Sequence, residues 1–181
     1  MRSRGVTLPE LLIVLTILGV VAAAAIPGFS STDGKRLDLA AAEVAAALRY
    51  ARSESMHSGE VHGIRVSTNN QRVVVYKADL ATDPVSIDVI LRHPVDKKPF
   101  DFDFDTAKMT AGVRIGNNLD PFLYGTGRRM SVLFDASGAP IWIVSSTSTT
   151  YPLQDGMVQL NSGNQQRIVR VAPVTGRVTV E

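Results

Sequence analysis

Residues 1–26 read MRSRGVTLPELLIVLTILGVVAAAAI, a short basic leader followed by an apolar run. From Leu11 to Thr32 there is no ionisable side chain, and ten of the sixteen residues Leu11–Ile26 are Leu, Ile or Val. A helix over Val6–Ile26 would be about 31 Å long at about 1.5 Å per residue, which matches a hydrocarbon core of about 30 Å. The stretch is therefore expected to cross a membrane once. Arg2 and Arg4 precede it and no Lys or Arg follows before Lys35. The excess of positive charge on the leader places the amino terminus in the cytoplasm and the rest of the chain across the membrane.

A cleavable secretory signal shares the basic leader, the apolar run and the small residues Ala22–Ala25. Glu10 argues against it. A carboxylate at the head of an apolar segment is costly at membrane depth and marks a functional position. Pro9 fits a helix that begins at Val6, because within the first turn its missing N–H has no intrahelical partner to lose.

Gly5-Val6-Thr7-Leu8-Pro9-Glu10-Leu11-Leu12 resembles the processing site of type IV prepilins and type II secretion pseudopilins. In that family a membrane-embedded prepilin peptidase cuts after the glycine and methylates the new amino terminus. The resemblance implies cleavage between Gly5 and Val6, N-methylation of Val6, and a carboxylate at Glu10 that pairs with the amino terminus of a neighbouring subunit. Val6 stands where Phe is commonest. A buried ion pair of this kind specifies register between packed helices more than it adds stability, so its loss is expected to affect assembly rather than folding.

The whole chain has 181 residues, 45% of them apolar, and a formal charge of +2, consistent with one anchored domain. The leader carries that excess: without its two arginines, 17 basic residues face 17 acidic ones. Bulk charge thus gives no reason to invoke nucleic acid. With no cysteine, an extracytoplasmic domain must be held by its core alone.

Pro27 and Gly28 end the apolar stretch and are expected to kink, unwind or stop the helix; a melted segment and a plain membrane exit both remain open. Ser30–Gly34 supplies capping residues and a breaker that favour a restart. From Lys35 to about His57 a helix is predicted, with Leu37, Ala41, Val44, Leu48, Ala51 and Ser55 or Met56 on one narrow stripe. Leu48–Ser55, LRYARSES, resembles the end of the first helix in the GspH/FimT branch of minor pilins, with Ser55 where Ala is usual.

Beyond Ser58-Gly59 the period changes to two. Strands are predicted at 61–66, 72–76, 85–91, 113–115, 131–134, 141–144, 157–160, 167–171 and 177–180. Asn69-Asn70, Ser137-Gly138, Asn161–Asn164 and Thr175-Gly176 are the expected turns, and the last two strands are expected to pair. The fold class is α+β: a long N-terminal transmembrane helix continuing into an amphipathic helix packed on an antiparallel β domain. The organisation is leader 1–5, transmembrane and assembly helix 6–28, amphipathic segment 29–59 and periplasmic β domain 60–181. The GspH/FimT resemblance implies the same arrangement, closing on Gly176-Arg177-Val178-Thr179-Val180.

Other motifs yield structural readings. Asp101, Asp103 and Asp105 have the first spacings of a calcium loop, but Thr106 replaces its glycine and Gly112 its final glutamate, so no metal is expected. Phe100, Phe102 and Phe104 are expected on one buried strand face. His57, His62 and His93 lack metalloprotease spacing and are expected at the surface, and Gly125–Arg129 reads as a charged turn. Ser145–Thr150 is an edge strand or a loop, and Trp142 belongs to the core. Arg128, Arg129, Arg167, Arg170 and Arg177 gather toward the C-terminus; some DNA-uptake minor pilins resemble this chain and present arginines there. No aromatic interleaving accompanies them, and a solvated strand face is the favoured reading.

These readings make the chain a non-enzymatic subunit without cofactor, anchored in a bacterial inner membrane. Its expected partners are the prepilin peptidase and other pseudopilins. The H-type pseudopilin of type II secretion is the favoured member, and a FimT-type minor pilin of a type IV pilus the alternative.

Overall fold

The computed structural model describes residues 8–25, 30–69, 71–116 and 120–181. Gly5, Val6, Pro27 and Gly28, on which the cleavage and kink expectations fall, lie outside the described residues. Two long helices come first, α1 (Leu8–Ala25) and α2 (Ser30–Ser58). Among the described residues no helix is long and apolar enough to cross a membrane. The span expected over 6–28 draws on residues 6, 7 and 26–28, outside that set.

The stripe predicted for α2 is the stripe it buries: Leu37, Ala41, Val44, Leu48, Ala51 and Ser55 are all at most 1% exposed, while Met56 is turned outward. Between them lie buried Ala40, Ala45 and Ala47. Alanine combines high helix propensity with a minimal side chain, so this face both forms the helix and lets it approach the sheets closely. Gly34 was expected to break the helix. It lies inside α2 instead, where an added Cβ would come within 3.0 Å of Gln165 Oε1. At the other end Gly59, at φ +74°, donates its N–H to the Ser55 carbonyl, the left-handed exit common to helices.

The β domain holds β1 (His62–Ser67), β2 (Arg72–Asp79), β3 (Ser86–Ile90), β4 (Asp101–Asp103), β5 (Arg114–Gly116), β6 (Phe122–Tyr124), β7 (Gly127–Arg129), β8 (Ser131–Phe134), β9 (Pro140–Val144), β10 (Thr149–Ser162), β11 (Gln165–Val171) and β12 (Val178–Val180). Neighbours along the path β12-β11-β10-β9-β8-β1-β2-β3 pair antiparallel. The last two strands pair as expected, Val171 opposite Val178.

The long β10 joins two sheets. Its first four residues pair with β9, and its remainder pairs with β6 and β5 on one side and β11 on the other. A register shift between Leu153 and Asp155 moves the buried positions from Leu153 to Gly156, Val158, Leu160 and Ser162. One extra residue in a strand has this effect on a period of two. The Ser/Thr-rich stretch is thus a 3-10 turn, Ser145–Thr147, running into the start of β10.

Two expectations need correction. His62 is buried at 4% exposure, because it opens the strand that follows the helix exit. Its backbone N–H donates to Ser55 Oγ at 3.0 Å, and its Nδ1 lies 3.1 Å from the Glu60 carbonyl. Gly125–Arg129 is not only a turn: Gly127–Arg129 forms β7 and pairs with β6.

Candidate functional site

Helix α1 carries a single charged residue, Glu10, in its first turn. Glu10 is exposed, as is every described side chain from Leu8 to Val21, and the large apolar ones are 52 to 80% exposed. A helix apolar on all sides requires burial in lipid or among other helices. Thr16 does not compromise this, since its hydroxyl reaches back to the Leu12 and Ile13 carbonyls at 3.0 and 2.8 Å. A carboxylate in the first turn also faces the positive end of the helix dipole.

The far end of α2 is fastened by Arg49, Arg52 and Ser55, residues of the Leu48–Ser55 run to which the sequence alone assigned no contact. Arg52 Nε donates to the Gly138 carbonyl at 3.1 Å, and Arg49 Nη2 to the Val178 carbonyl at 3.1 Å. One helix end thus grips the β8–β9 turn and strand β12. Gly138 (φ +79°) and Gly176 (φ +63°) are the turn residues here, and a Cβ on Gly176 would lie 2.5 Å from the Gly138 carbonyl oxygen. Left-handed backbone and close approach together require glycine at Gly176. Ser55 completes the fastening, donating to the Ala51 carbonyl while accepting from the His62 N–H.

The C-terminal arginines do not converge. Arg128 Nη1 donates to the Asp120 carbonyl, and Arg129 stacks over Trp142 at 5.6 Å. Arg167 pairs with Asp38 of α2 at 2.7 Å, and Arg170 with Glu181 at 3.0 Å. Alternation along β11 directs Arg167 and Arg170 to opposite faces. Arg170 and Arg177 do share a cleft, together with Asp155.

The aspartates of the apparent calcium loop are engaged elsewhere. Asp101 forms a two-point ion pair with Arg72, Asp103 accepts the Asp105 N–H at 2.8 Å, and Asp105 faces Arg114 at 3.3 Å. Phe100 and Phe104 are buried at 3 and 1% exposure, and Phe102 packs edge-on to Phe104 as a partly buried neighbour. Trp142 is in the core, as expected.

Two family models match. Residues 1–26 fit the prokaryotic N-terminal methylation motif, and residues 40–175 fit the type II transport protein GspH. The chain belongs to the GspH family. Among solved structures it is similar to the type IV minor pilin FimU of Pseudomonas aeruginosa, at TM-score 0.51 and 18% identity over 83% of this chain and 91% of that one. It is similar also to the minor pseudopilin EpsH from the type 2 secretion system of Vibrio cholerae, at TM-score 0.51 and 13% identity over 81% and 96%. At these identities the likeness establishes the pilin-like fold. No match is found among curated proteins. For a GspH-family chain the N-terminal motif implies processing by a prepilin peptidase.

Proposed function

We propose that this GspH-family chain is a minor pseudopilin of a type II secretion system: a structural subunit rather than an enzyme. Prepilin peptidase cuts between Gly5 and Val6 and methylates Val6. The mature helix then holds the subunit in the inner membrane, with its β domain in the periplasm, until it joins the pseudopilus that drives protein export. In the assembly Glu10 meets the amino terminus of a neighbouring subunit and sets the register between helices.

The observation that carries this reading is the match of residues 40–175 to the type II transport model behind an N-terminal methylation motif. The exposed apolar surface of α1 with its lone carboxylate supports it physically. A second reading, a minor pilin of a type IV pilus, is favoured by the likeness to FimU.

A clean deletion scored for both exoprotein release and pilus-dependent motility or DNA uptake separates them. Lost release with intact motility supports the secretion reading, and the reverse pattern supports the pilus reading.

A further inference from the structure

We propose that the cleft between Arg65, Arg129 and Trp142 is a receptor for a segment of another polypeptide that carries a carboxylate beside an apolar side chain. The cleft has a volume of about 580 Å3 and gathers residues distant in sequence: Arg65 of β1, Arg129 of β7, Ser131 of β8 and Trp142 of β9, with Val85 and Val144 among its apolar walls.

Its two guanidiniums are held ready. Arg65 lies over the Tyr76 ring at 5.8 Å and donates through Nε to Ser131 Oγ at 3.3 Å; Arg129 lies over the Trp142 ring at 5.6 Å. Each is half-buried, yet neither takes part in any ion pair among the described residues. A guanidinium stacked on a ring is partly desolvated and oriented, which suits the planar fork to an incoming carboxylate. Tyr76, the ring beneath Arg65, is fully buried, with Ser131 and Arg65 close to its hydroxyl.

The rim selects the class of ligand. Asp83 is exposed and Asp120 half-buried beside Arg128, and both border the cleft. A nucleic acid would bring its row of phosphates against these carboxylates, whereas one side-chain carboxylate reaches the arginines between them. The apolar walls and the indole then accept the neighbouring side chain. Such a site depends neither on the N-terminal helix nor on which machine the subunit serves.

Trp142 is the one tryptophan of the chain, so its emission reports on the cleft. The full chain in detergent micelles is titrated with acetyl-phenylalanyl-glutamic acid amide, with its glutamine counterpart, and with a single-stranded DNA oligonucleotide. The expected result is a saturable emission change with the glutamate dipeptide, at least about tenfold weaker binding of the glutamine form, and a similar loss in Arg65→Gln, as for removal of a charge-assisted pair. Arg177→Gln, outside the cleft, should bind like the parent chain, and unchanged circular dichroism of Arg65→Gln shows that it folds. If Arg65→Gln does not fold, Arg129→Gln read by calorimetry replaces it, and the same loss is expected. Equal binding of the two dipeptides, no saturable change, undiminished binding by a folded arginine variant, or preference for the oligonucleotide would each overturn the proposal.

Discussion

Arg52 and Gly138 are 86 positions apart in sequence and joined by a 3.1 Å hydrogen bond from Nε to the backbone carbonyl. The bond ties the last turns of α2 to the β8–β9 turn, and the adjacent Gly176 turn closes over the same arginine, whose Nε would lie 3.1 Å from a Cβ there. The Leu48–Ser55 run and the closing Gly176–Val180 run, separate resemblances in the sequence, are therefore parts of one fastening.

Replacing Arg52 by Ala leaves the Gly138 carbonyl without this donor and removes packing from a buried turn. A loss of about 1.5–3 kcal/mol is expected, the range for a hydrogen bond to a charged group. Urea unfolding of the full chain in micelles measures it; a midpoint unchanged from the parent chain would contradict the clamp.

Gly176→Ala and Gly59→Ala separate two costs of a side chain. Both sites have positive φ, but Gly59 has open space around its absent Cβ, while at Gly176 the Gly138 oxygen stands 2.5 Å away. Gly59→Ala is expected to cost about 1 kcal/mol, the penalty of left-handed backbone. Gly176→Ala should cost distinctly more, because backbone must shift as well. Equal midpoints would show that the contact relaxes freely.

Gln71 is buried with φ +49° and ties the β1–β2 turn to β5: its Oε1 accepts the Ile115 N–H at 2.6 Å, and its Nε2 donates to the Ile115 carbonyl at 3.2 Å. Gln71→Leu leaves two backbone groups of β5 without this partner and should cost about 2 kcal/mol or more. Amide exchange at Ile115 should quicken relative to β11 amides.

Asp135 gives the β8–β9 turn an acid sensitivity. Burial raises its pKa, but the Ser137 hydroxyl and the N–H groups of Ala139, Ser137 and Gly138 outweigh that and hold it below the usual carboxylate value. A folded pKa below the unfolded one means its contribution is present above the unfolded pKa and is lost as pH falls through the folded one. Asp135→Asn should therefore lower stability at neutral pH and flatten its decline in acid. A parallel acid limb in parent and variant would count against this.

Glu10→Val should leave the unfolding midpoint of the β domain unchanged, since Glu10 is exposed on α1. Under the proposed function it should still impair incorporation into crosslinked assemblies. Normal incorporation would refute the register role.

Much of this architecture was legible because it rests on periodicity. The apolar run of α1 and the alanine stripe of α2 are local patterns, and so are β-branched strands such as Val73–Val75. What escaped is non-local. Strands β6 and β7 have three residues each and exist through their pairing with each other and, for β6, with β10. The first two residues of β10, Thr149 and Thr150, close the Ser/Thr run that begins at Ser145, and their pairing with Val144 and Ile143 of β9 makes them strand. Arginines close in sequence part company because neighbouring strand residues face opposite ways, whereas Arg65, Arg129 and Trp142 meet through a sheet order that no local window contains.

The fastenings of α2 also bear on load. Near its start Arg36 reaches the Ala111 carbonyl at 3.4 Å and Asp38 pairs with Arg167; near its end Arg49, Arg52 and Ser55 grip β12, the β8–β9 turn and β1. A tug along the helix axis therefore strains attachments at both ends together, instead of peeling them one after another. Because β10 belongs to both sheets, that strain has no seam between them to open. A pull on α2 along its own axis would thus be met by the β domain as one body.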